Sequence, residues 1–316
     1  MESHILRPGS NDAGKRIDRI LRSCFPGVPL AALFAALRRG DIRVGGRKVR
    51  QDYRVAEGDA ISVKMLPGFS PRLEAGRAAA PGPGAREAAG FRFQVVFEDT
   101  NFFAVNKPWG ILSQGAASLD GHVKAWLAPR LPRSLAFSPA PLHRLDRNTS
   151  GLVFFSKSIE GARAFTWALR GGKITKTYYA LLEGRLAAAQ TWEDSLVRDT
   201  KNRVTKGAAP GAKAGKTALT EVRPLAVSAS ASCTLCEIRI RSGRTHQIRS
   251  QAALHGHPLA GDRKYGGRPL AGAPHGGAYI LHAARLSFPP LEAEAPLPQD
   301  AAAFLKKLFP AVEYRR

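Results

Sequence analysis

The chain has 316 residues, 44% of them apolar and 23% charged, which excludes a disordered segment and suits about two folded domains. Its 48 Lys and Arg against 25 Asp and Glu leave a formal charge of +23, an excess that attracts polyanions, nucleic acid foremost. With no apolar run long enough to span a bilayer and no secretory pattern near the first residues, a cytoplasmic protein without membrane association is expected.

In chain order, Ile17, Ile20 and Leu21 stand at helical spacing, and a second apolar helix is predicted around residues 29 to 38. Two short strands follow, "DIRVGG" and "DAISVKM". Cys24 stands alone in this part. The stretch "FSPRLEAGRAAAPGPGAREAAG", residues 69 to 90, is rich in Pro, Gly and Ala without periodicity and reads as a linker. It divides a small unit, residues 1–68 with its core at about 14–66, from a large one, residues 91–316.

The large unit opens with two apolar strands around an acidic turn, "FQVVFEDTNFFAVNKPWG". "LVFFSK" is another buried strand. "SIEGARAFTWALRGG" is a helix with Ser158 as N-cap, Ala162, Phe165 and Leu169 on one face, and glycines at its end. The strand "KTYYALLEG" places Tyr178 and Tyr179 on opposite faces, with Tyr179 the expected core residue. Cys233 and Cys236 lie in the alternating run "SCTLCEIRIRSG"; strand residues three apart face opposite ways, so this pair suits burial better than a metal or redox pair. "RTHQIRSQAALHGHP" is a helix stopped by Gly256 and Pro258, and "DAAAFLKKLFP" closes the chain as a last helix. Strands and helices alternate without a βαβ rhythm, which gives an α+β class.

Asp146, in "HRLDRNTSGLVFFSK", sits among two arginines and a histidine just before turn-forming residues that lead into a buried strand. Such a carboxylate is held by the scaffold yet open to a cleft. A second cluster follows at "SGRTHQIRSQAALHGHPLAGDRKYGG". Together with "NKPWGILSQ", "KTYYALLEG" and "LHAARLSF", the two clusters resemble the RluA-type family of RNA pseudouridine synthases across nearly the whole large unit. The small unit, with its basic corner "LRRGDIRVGGRKVR", resembles the S-four-type RNA-binding domain.

The resemblance implies a large catalytic domain with a mixed, mainly antiparallel sheet, flanking helices and a central cleft, plus a small N-terminal α/β domain. It places the essential aspartate at Asp146, the active-site aromatic at Tyr178 and the arginine that pairs with the aspartate at Arg244. Should Arg244 instead contact phosphate, Arg249 is the alternative partner. Arg144, Lys176, His246 and Arg249 fall in the motifs as RNA contacts, and Arg38, Arg39, Arg43, Arg47 and Lys48 become phosphate contacts of the small domain. Asn148, where an acidic residue is common, and "SQAA" after "QIR" depart from the family pattern and bear on substrate contacts.

The implied partner is RNA, ribosomal in the first place and transfer RNA in the second. Isomerising uridine neither oxidises nor hydrolyses, so no cofactor is expected; His143 and His246 with one aspartate make a weak metal signal, and no metal is expected either. Nothing demands more than a monomer. Whether Asp146 acts as nucleophile or base stays open, and a non-catalytic RNA-binding or ribosome-assembly factor is the rival reading.

Overall fold

The computed structural model describes residues 3–64, 91–115, 117–208, 215–228, 230 and 232–312, and the expected linker at 69–90 lies outside them. In the small unit, β1 (Ser3–Leu6), α1 (Ile17–Cys24), α2 (Leu30–Arg39), β2 (Ile42–Val44) and β3 (Ile61–Lys64) follow in order. The strands form an antiparallel sheet in the order β1-β3-β2. Ile17, Ile20 and Leu21 are wholly buried against Leu33, Ile42 and Ile61, as their helical spacing requires.

The basic corner owes its shape to Gly40. This residue ends α2 in the left-handed region, at φ +85°, where its N–H reaches the carbonyls of Ala36 and Leu37. Arg43 then donates from Nε to the Gly40 carbonyl at 2.9 Å, and Arg38, Arg39, Arg43, Arg47 and Lys48 all stand exposed.

The large unit runs through β4 (Gln94–Glu98), β5 (Phe102–Lys107), α3 (Leu119–Leu127), β6 (Ala140–Pro141), β7 (Ser150–Ser156), α4 (Ile159–Arg170) and β8 (Thr175–Glu183). It continues with β9 (Gln190–Asp199), β10 (Val204–Gly207), β11 (Lys216–Ser228), β12 (Cys233–Ile240), α5 (Gln247–Leu254) and the short α6 (Pro274–Gly277). β13 (Leu281–Phe288), β14 (Leu291–Glu294) and α7 (Gln299–Leu308) complete it. One 11-stranded sheet results, in the order β10-β9-β11-β12-β8-β13-β7-β5-β4, with β14 added to β13 and β6 to β7. Of its pairings only β13 with β7 is parallel, so the mixed, mainly antiparallel α+β arrangement holds. Among the described residues no helix is long and apolar enough to cross a membrane.

That parallel seam is unusually close. Gly151 pairs with Ala283 at φ +110°, and a Cβ there would collide with the Ala283 backbone, so the turn-forming "NTSG" ends in the one residue that lets β7 approach β13. Cys233 and Cys236 are both buried on β12 and join different core clusters, on opposite faces as the alternation requires.

Helix α4 starts where the sequence places it, with Ser158 Oγ accepting the Gly161 N–H at 2.9 Å. Its buried face differs. Gly161, Phe165 and Ala168 point inward while Leu169 is 40% exposed, because Gly161 seats directly on the Asn101 carbonyl and turns the helix by that contact.

The two units are locked together by one carboxylate. Asp12, wholly buried, accepts from Ser134 Oγ at 2.6 Å and from the backbone N–H groups of Leu135 at 2.7 Å and Ala136 at 3.0 Å. Beside it, Asn11 Oδ1 accepts the N–H of Ile159 at the start of α4 at 3.0 Å, and Gly9 is pressed against the Arg133 carbonyl, where no side chain fits. Charge-assisted bonds to a buried carboxylate are each worth about 1.5–3 kcal/mol, so the small unit is docked and not merely tethered.

Candidate active site

Asp146 is positioned by the loop on either side of it. Ser113 Oγ donates to the Leu145 carbonyl at 2.8 Å and accepts the Leu145 N–H at 3.0 Å. On the other flank, the Arg147 carbonyl takes the Gly110 N–H at 3.0 Å and Lys107 Nζ at 3.1 Å. Lys107 is wholly buried and also donates to the carbonyls of Pro108 and Ile111, at 3.0 and 2.9 Å, so its three protons tie "NKPWG" to "HRLD". Burial pulls its pKa down to about 7, against the opposing pull of the Asp146 charge.

The Asp146 carboxylate meets Arg249, one turn into α5. Arg249 Nη1 donates to Asp146 Oδ2 at 3.1 Å, while its Nε and Nη2 grip both oxygens of the buried Asp262 at 2.6 and 2.8 Å. The guanidinium lies over the rings of Tyr265 and Tyr279, 5.0 and 4.7 Å from their centroids. Burial works against its charge, but the Asp262 hydrogen bonds and the nearby negative groups outweigh it, and Arg249 stays cationic.

His246 Nε2 stands 3.7 Å from the same Oδ2. Asp146 Oδ1 makes no hydrogen bond to any described residue, and the side chain is 24% exposed, so this oxygen is the one left for a substrate.

Of the residues expected here, Asp146 and Tyr178 are brought together electrostatically. Tyr178 is 6% exposed in the core beneath the seam; burial, and after it the Asp146 charge, push its phenol pKa up, so it remains protonated. The expectation that Tyr179 is the core residue is corrected, since Tyr179 is only half-buried. Lys176, two residues before Tyr178 on β8, is 7% exposed, and burial lowers it to about 8. Arg144 is exposed and joins the two motif loops through Nη2 to Thr245 Oγ1 at 3.1 Å.

Arg244 does not pair with Asp146. Its Nε reaches the Thr217 carbonyl at 3.5 Å on the exposed side, because the chain reverses at His246, φ +53°, and only the residues after that turn point into the cleft. Arg249 takes the role. Asp262, Tyr265, Tyr279 and Lys107 were not singled out from sequence, although "LAGDRKYG" and "NKPWG" contain three of them, and a buried arginine always demands a carboxylate. His143 is half-buried, stacked on Phe165 with its Nε2 accepting the Phe154 N–H at 3.2 Å.

A carboxylate with one oxygen tied to Arg249 and the other without a hydrogen bond to any described residue, amid excess positive charge, is an arrangement capable of nucleophilic or general-base chemistry. Residues 101–254 match the profile described as RNA pseudouridylate synthase. The chain is 31% identical to ribosomal large subunit pseudouridine synthase C of Vibrio cholerae over 94% of each chain, and 29% identical to the protein of that name from Escherichia coli over 95% of this chain and 94% of that one. The solved structure of human RNA pseudouridylate synthase domain containing 4 shares the fold, with a TM-score of 0.57 at 20% identity over 68% of this chain and 92% of that one. The chain belongs to the RNA pseudouridylate synthase family of isomerases.

The histidines set an acid limit. Burial first, then Arg249, Arg198 and Lys264 against the opposing Asp146, bring His246 to about 4; burial brings His282 to about 4 and His143 well below its usual range. An unfolded histidine titrates near about 6.5. The unfolded chain therefore binds more protons between these values, and stability rises with pH across that window. Urea midpoints are expected to fall from about pH 6.5 to about pH 4, with His282 alone contributing about 3 kcal/mol to the loss, and to go on rising above about pH 7, where buried Lys107 and Lys176 give up protons that the unfolded chain still holds. His282→Gln, less stable throughout, should show a shallower fall.

Proposed function

We propose that the chain isomerises uridine to pseudouridine in large-subunit ribosomal RNA, with Asp146 as the catalytic carboxylate and the N-terminal unit as a phosphate-binding module of the S-four type. The reading rests on the free Oδ1 of Asp146 in a carboxylate whose other oxygen is held by Arg249. The kinship of this chain with large-subunit synthases along 94% of its length, N-terminal unit included, supports the RNA class.

The reaction breaks the bond from uracil N1 to ribose C1′, turns the base, and forms the bond from C5 to C1′. The C5 proton is lost and N1 gains one, so atoms balance with no oxidant, reductant or water. Attack by Asp146 on C1′ and removal of the C2′ proton both use the same oxygen, Oδ1. The Asp262 grip on Arg249 serves either role, since it leaves Asp146 only one guanidinium hydrogen bond and thus most of its negative charge. The target base must leave its stack, which costs a few kcal/mol, and Tyr178 offers a face worth about 1–3 kcal/mol in return. Arg144, Lys176, His246 and Arg249 serve as contacts for the flipped nucleotide and its phosphates, with His246 and Arg249 directly beside the carboxylate.

Sequencing of pseudouridines in RNA from cells with and without the gene tests the substrate. Signals should vanish from large-subunit ribosomal RNA; loss from transfer RNA alone would overturn that class.

For the residues, Asp146→Asn should cut single-turnover isomerisation by more than about a thousandfold with RNA affinity unchanged or tighter. Arg249→Ala should lose nearly as much at any RNA concentration. Arg244→Ala, by contrast, should recover its rate at saturating RNA.

Changing Arg38, Arg39, Arg43, Arg47 and Lys48 to Gln in the full chain tests the module. Each phosphate contact contributes about 0.7–0.9 to the slope of log affinity against log salt, so with three to five of these residues on phosphate the slope should flatten by roughly 2–4.5 with turnover at saturation retained. An unchanged slope would mean that the corner faces solvent in the complex.

A further inference from the structure

Thr205, Tyr265 and His246 form a directed chain of hydrogen bonds that ends on the carboxylate. The backbone N–H of Thr205, at the start of β10, donates to Tyr265 Oη at 2.8 Å. Tyr265 Oη in turn lies 2.7 Å from His246 Nδ1. A phenol has one proton to give, and an amide N–H can only donate, so Oη is an acceptor toward Thr205. Nδ1 is the near acceptor for the tyrosine proton at 2.7 Å; the Thr205 hydroxyl also faces the phenol, while giving its own proton to the Thr245 carbonyl at 2.8 Å. Were Nδ1 itself protonated, Oη would be faced by two donors at short range and its own proton would be left to the Thr205 hydroxyl.

The bare nitrogen of His246 is therefore Nδ1, and the proton sits on Nε2, 3.7 Å from Asp146 Oδ2. The ring has little freedom to choose otherwise. His246 caps α5 in the left-handed region, and its plane meets the Tyr265 ring edge-on at 5.7 Å and 88°. Resting on the proposed role of Asp146, we infer that Tyr265 is a positioning residue: it fixes His246 as the Nε2–H tautomer, so that a neutral N–H dipole faces Oδ2 and Oδ1 stays free for the ribose.

The alternatives show what this orientation does. With the proton on Nδ1, a lone pair would point at the carboxylate and repel it. With both nitrogens protonated, an imidazolium would form an ion pair with the carboxylate and weaken it as nucleophile or base. Around His246 stand Asp146 on the loop before β7, Arg249 on α5, Arg198 on β9 and Lys264 beside Tyr265. Three cations against one carboxylate, together with burial, oppose the imidazolium, and Tyr265 excludes the wrong neutral form. An acceptor is thereby converted into a donor at the one place where the site needs it.

Histidine-selective ¹⁵N NMR of the full chain tests the tautomer without any turnover. His246 is expected as the neutral Nε2–H form from about pH 8 to about pH 5.5. A protonated Nδ1 in that range overturns the inference, and leaves the role of Asp146 untouched. In Tyr265→Phe the ring should show both tautomers and take up its second proton at a higher pH, because bare Nδ1 loses its donor while burial and the three cations remain, and the acid limb of kcat should move up by about 1 pH unit. Since an imidazolium would pair with the Asp146 carboxylate and weaken it as nucleophile or base, the variant should approach the parent rate at about pH 8 and fall away toward about pH 6. An equal loss at every pH would mark a merely structural tyrosine and refute the positioning role. In a His246→Gln background, where the amide donates without a tautomer to fix, Tyr265→Phe should leave the pH profile unchanged; a further shift there also counts against it. Isomerisation surviving in Asp146→Asn would instead sink the reading of the carboxylate, while the NMR result stood.

Discussion

Everything at this site depends on one guanidinium shared by two carboxylates. Arg249 gives Asp262 two short, parallel hydrogen bonds and Asp146 a single longer one. A buried arginine bound to Asp146 alone could tie up both of its oxygens, and a buried arginine with no carboxylate would carry an uncompensated charge. The unequal sharing resolves the conflict, since Asp262 claims most of the positive charge and Asp146 keeps its own. The Tyr265 and Tyr279 rings hold the guanidinium plane from its faces, so the division of charge is fixed by packing as well as by hydrogen bonds.

The sheet brings the members of this arrangement together from distant parts of the chain. Asp146 lies 103 residues from Arg249, and the close β7–β13 seam sets the first beside strand β8, which carries Tyr178. Gly151 makes that seam possible. Lys107 and Ser113 then fasten the aspartate loop from the other side, each through backbone groups, so side-chain substitutions within the loop leave its path intact.

Local features were legible in the sequence because local physics sets them. The Ser158 cap, the spacing of Ile17, Ile20 and Leu21, and the opposed faces of Cys233 and Cys236 follow from residue type and period alone. Asp146 was also legible, since turn formers before an apolar run announce a scaffold-held loop. The identity of its partner was not. Arg244 and Arg249 lie in one motif five residues apart, and the left-handed turn at His246 that separates them leaves no mark in a histidine codable anywhere. Strand β1 was missed for a different reason, since "SHIL" has no period of its own and becomes a strand only by pairing with β3. Leu169 was misjudged because the angle of α4 is set by contact between Gly161 and Asn101, a tertiary fact.

The Asp12 lock carries a consequence for how the molecule is made. Its partners, Ser134, Leu135 and Ala136, come 122 to 124 residues later in the chain. At about 5–20 residues per second, synthesis leaves this carboxylate without them for roughly 6–25 s after it emerges. During that interval the small unit has its own core but an unmatched face, and its charge stays hydrated. The small unit is thus made well before the surface it docks on, and the delay ends only when the segment before β6 has left the ribosome.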